Sequence, residues 1–423
     1  MRRNVAILLI LSLALAASGC SKHSDRSSYP QQTVVTIFYG AGFNNLSSDI
    51  KNNIKTTLQG DLPFPGSRHV FLSFAHLSVS DTNFSELRDS YLIKYTKDFG
   101  KISADTLYRV DGSRTACDPA VLEEVLRKVA ELYPDAKYGL VMSSHGTGWL
   151  PAYKYSTVYQ AIQYSARQRR NLPIYDRNAD PDEPKVKTFG AEVLQEGTTK
   201  YSQEMTIQSM AKAIPVHLEY IVFDACLMGC VEVAYELKDV TDVVVFSPTE
   251  ILSYGFNYKA FSLLFNDNPD AAGLAREYYE YYAAKNGRER SATISVVRTD
   301  KLEALAALSA GLFGKYRTEM AGLNSDSGVQ EYFRGEEKHW FYDFRDILVT
   351  AGASVDDILS LDTALNECII YKAATPSFLG LQIDSYSGLS MYLPSVTKDD
   401  QGVAGLNAFY KTLAWNKATN LVE

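Results

Sequence analysis

Short apolar runs rich in β-branched and aromatic residues alternate along this chain with segments whose apolar residues recur at helical spacing. Such alternation is typical of a parallel sheet with helical crossover connections. We therefore predict an α/β fold, with a mostly parallel central β-sheet flanked by helices on both faces. The predicted strands are Thr33–Tyr39, His69–Phe74, Tyr138–Ser143, Tyr220–Phe223, Val243–Phe246 and Thr293–Val297, and the predicted helices are Leu46–Leu58, Pro119–Leu132, Leu227–Leu237 and Ala272–Ala284.

The N-terminus has the pattern of an export signal. Arg2 and Arg3 precede the apolar run Val5–Ala17, which is too short to span a bilayer comfortably. The small residues that follow it lead directly into Cys20, as in the bacterial lipobox, where such a cysteine is acylated. An ordinary cleaved signal peptide is the alternative. We predict a protein exported to the bacterial cell envelope and attached to the membrane through a lipid on Cys20 only, on the periplasmic side or the cell surface.

The rest of the chain divides into four regions. Residues 20–32 are a polar tether after the signal peptide 1–19, and residues 33–300 are the main α/β domain. An insertion at 152–203 interrupts that domain. It is basic and has little apolar periodicity, which is typical of a solvated surface insertion or of a functional loop. Residues 301–423 read as a helical C-terminal region, packed on the main domain and containing a closing strand near its end.

Charge and cysteine usage exclude several classes of function. The formal net charge is −8, and it becomes −10 without the signal peptide, which argues against nucleic acid as a partner. The five cysteines lack the dense spacing of a disulfide scaffold and the two-residue spacing of redox or zinc pairs. No histidine spacing implies a metal. A thiol nucleophile therefore remains the specific option.

Two of the predicted strands deliver reactive side chains into turns. The segment Tyr138–Gly148 carries His145 into a glycine-flanked turn, and Tyr220–Gly229 carries Cys226 to the predicted start of a helix. Because side chains at the carboxyl ends of neighbouring parallel strands converge on one crevice, His145 and Cys226 are predicted to meet. Taken singly, the cysteine could be a small buried hydrophobe and the histidine a loop residue. Their joint occurrence favours a catalytic pair.

Such a pair could carry out nucleophilic catalysis. A helix N-terminus and a neighbouring imidazole would both stabilise the thiolate of Cys226, and the thiolate would attack a peptide carbonyl. His145 would serve as general base or imidazolium partner, and then as acid toward the leaving amine. The backbone N–H groups of Gly146 and Cys226 are the predicted donors to the oxyanion. This chemistry requires no cofactor.

Asp224 precedes Cys226 by two residues, so in an extended strand both side chains point to the same face. A carboxylate beside a thiol raises the thiol pKa and hinders catalysis unless it serves another purpose. We predict that it binds a Lys or Arg side chain of the substrate just before the cleaved bond. The alternative is that Asp224 caps the following helix.

These residues resemble the clostripain family of cysteine peptidases, which belongs to the caspase-like group. The likeness lies in the run Asp224–Leu237 and the turn Ser144–Trp149, and it extends to Tyr39–Leu46 and Gly388–Pro394. The resemblance implies a caspase-like fold, a His145/Cys226 dyad, and cleavage of peptides and proteins after Arg or Lys with Asp224 as the acidic selectivity residue. It also suggests that Ser247–Glu250 lines the same pocket, with Glu250 as a further substrate-binding residue.

Further implications of the resemblance concern maturation and calcium. Family members commonly cut themselves at a basic residue between the histidine and the cysteine, where this chain has its basic insertion. The candidate self-cleavage residues are Arg169, Arg170, Arg177, Lys185 and Lys187. The length of the insertion also allows a lid. Ca²⁺ is known in the family but no segment here has the spacing of a defined calcium loop, so calcium stays an open option. The opening turn contains Asn44 and Asn45 where an aspartate is usual.

Two hypotheses of different classes follow. The first is an active, lipid-anchored endopeptidase directed at Arg and Lys. The second is a lipoprotein that keeps the peptidase fold, is catalytically silent, and binds peptides or proteins.

Overall fold

The computed structural model describes residues 32–81, 83–151, 192–196, 199–333, 340–397 and 403–423. Thr33–Glu423 form one compact unit. Its strands are β1 (Val34–Gly42), β2 (His69–Leu77), β3 (Ser90–Asp98), β4 (Lys101–Val110), β5 (Lys137–Ser143), β6 (Glu192–Glu196), β7 (Thr199–Gln203), β8 (Leu218–Asp224), β9 (Val243–Phe246), β10 (Thr293–Arg298), β11 (Tyr342–Asp343), β12 (Ile369–Ala374), β13 (Ser377–Phe378), β14 (Leu381–Gln382) and β15 (Ser390–Met391).

The helices connect these strands and cover the sheet. They are α1 (Ser47–Gln59), α2 (Pro119–Leu132), α3 (Ile207–Ala213), α4 (Val231–Glu236), α5 (Ala271–Ala283), α6 (Leu302–Lys315), α7 (Arg317–Gly322), α8 (Phe344–Thr350), α9 (Val355–Cys368), α10 (Val403–Tyr410) and α11 (Ala414–Thr419). None of the helices in the described part of the chain has the length and apolar character of a membrane span.

A nine-stranded sheet organises the unit, in the order β12-β10-β9-β8-β5-β1-β2-β3-β4. The five central strands, from β9 to β2, are parallel, and two antiparallel strands border them on each side. The predicted α/β class with a mostly parallel core is confirmed. The predicted strand Thr293–Val297 is present as β10, and it runs antiparallel to β9.

Helices lie on both faces of the sheet, as successive residues of β1 make clear. Phe38 packs against the ring of Tyr258, in the 3-10 helix Tyr258–Leu264 that contacts α1 and α5. The next residue, Tyr39, donates its hydroxyl to the carbonyl of Ala116, just before α2. Because side chains alternate across a strand, α1 and α5 cover one face and α2 covers the other.

Local sequence explains where α2 begins and which side it buries. Asp118 accepts a hydrogen bond from the amide of Ala120 and Pro119 occupies the first turn, a standard N-terminal combination. The buried positions recur at helical spacing, namely Val121, Leu122, Val125, Leu126 and Val129. The prediction of a helix at Pro119–Leu132 is confirmed residue for residue.

Two predicted elements are much shorter than expected. The helix predicted at Leu227–Leu237 begins only at Val231, because Leu227 adopts a left-handed φ of 60° and the amide of Gly229 donates to the Ser247 carbonyl at 2.8 Å. The closing strand predicted at Gly388–Pro394 reduces to the two residues of β15, paired with β11.

Several predictions fall outside the described residues. They are the lipidation of Cys20 and the candidate self-cleavage residues Arg169, Arg170, Arg177, Lys185 and Lys187. The C-terminal end of the insertion is described, and it forms the antiparallel hairpin β6–β7.

Candidate active site

His145 and Cys226 leave the sheet at the same edge. Strands β5 and β8 are parallel neighbours, and their last paired residues are Ser143 and Asp224. His145 and Cys226 each lie two residues beyond that pair. The structure therefore brings the two predicted catalytic residues to adjacent positions at the carboxyl ends of neighbouring strands.

The turn after His145 rests directly on the backbone of Cys226. A Cβ atom added to Gly146 would lie 2.0 Å from the carbonyl oxygen of Cys226 and 2.7 Å from its nitrogen. Gly148 has a φ of 57°, and a Cβ there would lie 2.6 Å from the carbonyl oxygen of Leu227. Glycine is needed at both positions because any side chain would separate the two turns.

The imidazole of His145 is buried and oriented by a residue that the sequence analysis did not assign to the site. Its Nε2 lies 2.7 Å from Oδ1 of Asn45, and the ring residue is 5% exposed. Since an amide oxygen can only accept, this contact is a hydrogen bond when Nε2 carries the proton. In the neutral ring, Nδ1 is then the nitrogen that can accept a proton. Asn45 follows β1. Its place in a polar turn at a strand end was the one feature of the sequence that could have indicated a role in the site.

Cys226 is fully buried, and its sulfur accepts a hydrogen bond from the amide of Ile251 at 3.1 Å. The sulfur also lies 3.7 Å from the carbonyl oxygen of Ile251, to which the thiol can donate. The expected contribution of a helix N-terminus is wrong, because α4 begins at Val231, after a loop whose amides donate to Ser247 and Thr249 just beyond β9. The amide of Ile251, in the loop after β9, donates to the sulfur in place of the predicted helix N-terminus.

Asp224 lies on the face of the sheet covered by α1 and α5 and is fully buried. Its Oδ2 accepts hydrogen bonds from Ser143 Oγ at 2.8 Å, from Asn53 Nδ2 at 3.4 Å and from the hydroxyl of Tyr258. Gly255, with a φ of 67°, brings bare backbone against the other carboxylate oxygen. The alternative role as a cap of the following helix is wrong, since the N-cap of α4 is Cys230.

Phenol groups report the electrostatic field around Asp224 and Cys226. Burial, and then the charge of Asp224, raises the pKa of Tyr258 well above its usual value. Burial also raises the pKa of Tyr278, and the charges of Asp224 and Cys226 both add to that effect. Both Asp224 and Cys226 thus affect the pKa of Tyr278, as expected if the two residues lie on the same side of the site.

Glu250 is buried beside the site. It immediately precedes Ile251, the residue whose amide contacts the Cys226 sulfur. The backbone carbonyl of Glu250 accepts hydrogen bonds from the hydroxyls of Thr249 at 3.0 Å and Ser247 at 3.4 Å. The predicted segment Ser247–Glu250 thus adjoins Cys226.

The C-terminal region completes the site. The amide of Ser390 donates to the carbonyl of Gly229 at 2.9 Å, which joins β15 to the loop after Cys226. Trp149, at the end of the His145 turn, packs on the rings of Tyr392 and Tyr410 with centroids 4.7 and 4.9 Å apart. Both turns are therefore held from outside by residues near the end of the chain.

A buried carboxylate ties the same region to α4. Glu232 accepts from the amide of Tyr392 at 2.9 Å and from the hydroxyl of Tyr410 at 2.7 Å. Burial raises the pKa of Glu232 to about 7, against the opposing effect of these hydrogen bonds.

Within the described ranges, no group of three or more His, Cys, Asp and Glu side chains is arranged to hold a metal ion.

Comparison with known proteins gives consistent matches. The model of the clostripain family matches residues 196–420. Clostripain of Hathewaya histolytica is 25% identical over 246 residues, which cover 54% of this chain but only 41% of that protein.

Solved structures resemble the fold over most of its length. An inactive zymogen C11 protease from Parabacteroides distasonis has a TM-score of 0.70 and 26% identity, covering 92% of this chain and 99% of its own. A secreted C11 cysteine protease from Bacteroides thetaiotaomicron, in complex with an irreversible peptide inhibitor, has a TM-score of 0.69 and 21% identity, covering 92% and 100%. The predicted caspase-like fold is confirmed by these neighbours.

Proposed function

Because this chain belongs to the clostripain family of cysteine peptidases, we propose that it is an endopeptidase in which His145 and Cys226 form the catalytic dyad. One observation carries the proposal. The two residues lie two positions beyond paired strand ends, and the Gly146 backbone packs on that of Cys226. That arrangement supports the approach of imidazole and sulfur that proton transfer requires.

The proposed mechanism follows from the hydrogen bonds of the two side chains. Asn45 holds the Nε2 proton of His145, so Nδ1 takes the proton of the Cys226 thiol. The thiolate, supported by the Ile251 amide, attacks the carbonyl carbon of the scissile peptide bond. His145 then gives its proton to the leaving amine, and a thioester forms. Water, deprotonated by His145, hydrolyses the thioester and restores the thiol.

The developing oxyanion needs donors, and we propose the backbone N–H groups of Gly146 and Cys226. These two backbones are in direct contact, so their amides belong to one small region beside the sulfur. Preorganised amides of this kind stabilise the charge of the tetrahedral intermediate without moving. No cofactor takes part in any step.

We propose that Asp224 selects Arg or Lys at the residue before the cleaved bond. Its carboxylate is fully buried, and Ser143, Asn53 and Tyr258 all donate hydrogen bonds to it. A buried carboxylate beside the nucleophile is suited to a guanidinium or ammonium group. Glu250 is the proposed second acid of this pocket, because it adjoins the same sulfur-bonded loop.

Export and maturation are further parts of the proposal. The leader pattern and Cys20 support a lipid anchor at the cell envelope, and one structural neighbour is described as secreted. Self-cleavage is proposed at a basic residue of the insertion. The proposed external substrates are peptides or proteins that contain Arg or Lys.

The test is hydrolysis of short peptides with Arg before the cleaved bond. Wild type should cleave them and Cys226→Ala should not, while Cys368→Ala, a buried cysteine in α9, should behave as wild type. Full activity of Cys226→Ala would refute the assignment of the nucleophile. Running both proteins on a gel also tests self-cleavage, since fragments should form only in the wild type.

A second function, a silent binding module, is favoured by one observation: Cys226 is fully buried. A thiol-reactive inhibitor that carries an Arg side chain separates the two functions. Labelling that disappears in Cys226→Ala supports the peptidase. Tight peptide binding by wild type without labelling or cleavage would support the binding module.

A further inference from the structure

Glu192, the first residue of β6, makes a set of contacts that the proposed mechanism does not use. Its side chain is fully buried. Oε1 accepts a hydrogen bond from the amide of Phe43 at 3.2 Å and lies 3.0 Å from Nδ1 of His76, while Oε2 accepts from the amide of Cys117 at 3.1 Å. One carboxylate thus joins the end of the insertion to the segment after β1, to β2 and to the segment before α2.

The first of these partners leads to the catalytic histidine. Phe43 is followed by Asn44, whose Oδ1 accepts from the amide of Leu46 at 2.8 Å and so fixes the turn between them. Within that turn lies Asn45, the acceptor for Nε2 of His145. The carboxylate of Glu192 therefore holds one end of the short turn that orients the imidazole.

Cys117, a second partner of Glu192, also lies near His145. Cys117 and His145 line one small apolar cavity, together with Met205 of the segment after β7. The hydroxyl of Ser144 donates to the carbonyl of Ala41 at 2.8 Å, which ties the His145 turn to the end of β1. Glu192 thus binds two segments near His145, the one that leads into the Asn45 turn and the one that contains Cys117.

Hairpin β6–β7 is attached at both of its ends. Glu192 begins it, and at its last residue Gln203 Oε1 accepts from the hydroxyl of Thr115 at 2.8 Å. Thr115 and Cys117 belong to one short segment before α2, so both ends of the hairpin bind the same segment. The hairpin is therefore a fixed part of the domain rather than a free arm of the insertion.

Charge and packing reinforce the attachment of Glu192. The rings of His76 and Phe43 stack with centroids 4.7 Å apart and planes 9° apart. Burial alone would lower the pKa of His76, but the nearby carboxylate outweighs burial and the pKa is raised. Both oxygens of the buried carboxylate therefore have hydrogen-bond partners, two backbone amides and a histidine.

We propose that Glu192 is a positioning residue for His145, which couples the C-terminal end of the insertion to the turn that orients the imidazole. The expected effect on kcat rests on the proposed function, while the effect on the position of His145 beside Cys226 is measured separately. The attachment lies downstream of every candidate cleavage residue. A cut in the basic stretch therefore leaves Glu192 in place, and the same carboxylate orients His145 in the cut and uncut protein.

The test compares Glu192→Gln with wild type. Glutamine keeps the shape but replaces one acceptor by a donor that faces either His76 or an amide, so the contacts cannot all be kept. We expect kcat to fall about 10–100-fold with KM within about twofold, as for other residues that orient a catalytic group. Glu219→Gln, a part-exposed carboxylate on β8 paired with Lys137, is the matched control and should change neither constant.

A second readout separates positioning from stability. The rate at which iodoacetamide alkylates Cys226 is measured against pH, and the profile should shift to higher pH in Glu192→Gln because the imidazole no longer supports the thiolate. A residue with only a structural role would lower the unfolding temperature and leave both the profile and the kcat of folded protein unchanged. That outcome would overturn the proposal.

Two further comparisons keep the outcome decisive. If Glu192→Gln does not fold, His76→Gln should show the same loss of kcat and the same shift, and wild-type behaviour of that variant would overturn the proposal. If the wild type shows no turnover that depends on Cys226, yet the alkylation profile still responds to Glu192, the proposed function fails and the positioning role stands. Turnover that depends on Cys226 but not on Glu192 refutes only the positioning role.

Discussion

The contact between Gly146 and the Cys226 backbone makes a quantitative prediction about Gly146→Ala. The added Cβ would lie 2.0 Å from the Cys226 carbonyl oxygen, whereas ordinary contacts are 3.4 Å or longer, so one turn must move by about 1.4 Å. Gly146 does not adopt a left-handed φ, so an alanine is allowed by the backbone and the contact is the obstacle.

Such a displacement affects catalysis more than stability. Overpacking of this kind costs about 1–3 kcal/mol of folding free energy. A shift of about 1 Å between reacting groups lowers the rate roughly 100-fold. We therefore expect Gly146→Ala to fold, with a reduced unfolding temperature, and to lose at least that factor in kcat on an Arg-containing peptide.

The assay measures kcat, KM and thermal unfolding for Gly146→Ala beside Gly311→Ala and Gly314→Ala. The two control glycines lie in α6, where an added Cβ meets no atom within 4 Å. Replacing a helical glycine by alanine should stabilise the protein by about 0.5–1 kcal/mol and leave kcat unchanged. A Gly146→Ala protein with wild-type kcat would refute the reasoning that close backbone contact sets the geometry of the dyad.

Three further predictions concern neighbouring residues. Asn45→Ala should lower kcat about 10-fold with little change in KM, because His145 Nε2 loses its acceptor, and kinetics on folded protein check this. Asp224→Asn should weaken cleavage after Arg by about 2–5 kcal/mol of transition-state binding while the unfolding temperature changes little; an unchanged preference in a peptide-library digest would move selectivity to Glu250. Glu232 has a pKa raised to about 7, so its contribution to stability is present below about pH 4.5 and is lost as pH rises through 7. Over that range wild type should lose roughly 3 kcal/mol more unfolding free energy than Glu232→Gln, and parallel stability curves would contradict this.

The central strands and the placement of His145 and Cys226 just after two of them could be predicted because they depend on local pattern. Buried parallel strands such as β5 and β8 are continuous apolar runs, and the reactive residues directly follow them. The edge hairpin β3–β4 was missed because most of β4 is exposed, so its sequence has no continuous apolar run. Strand β12 was missed for a related reason: it follows α9 without a break and its residues are only partly buried.

The contacts that complete the site come from distant parts of the chain, and no local pattern encodes them. Tyr258 reaches Asp224, Asn45 reaches His145, and Glu192 reaches Phe43 across 149 residues. The start of α4 was misplaced because the sequence after Cys226 has helical periodicity, while pairing of Gly229 with Ser247 holds it extended. Tertiary hydrogen bonds override propensity at that point.

The strand order has a consequence for a chain broken between residues 152 and 191. Strands β1 to β5 would belong to one fragment and the remaining strands to the other, and in the sheet they occupy opposite halves that meet only where β5 pairs with β8. The break would leave a two-chain particle whose seam is a largely buried ladder that ends two residues before His145 and Cys226. Pulling the fragments apart would bare two long apolar edges, so the nicked enzyme should migrate as a single species until it is denatured.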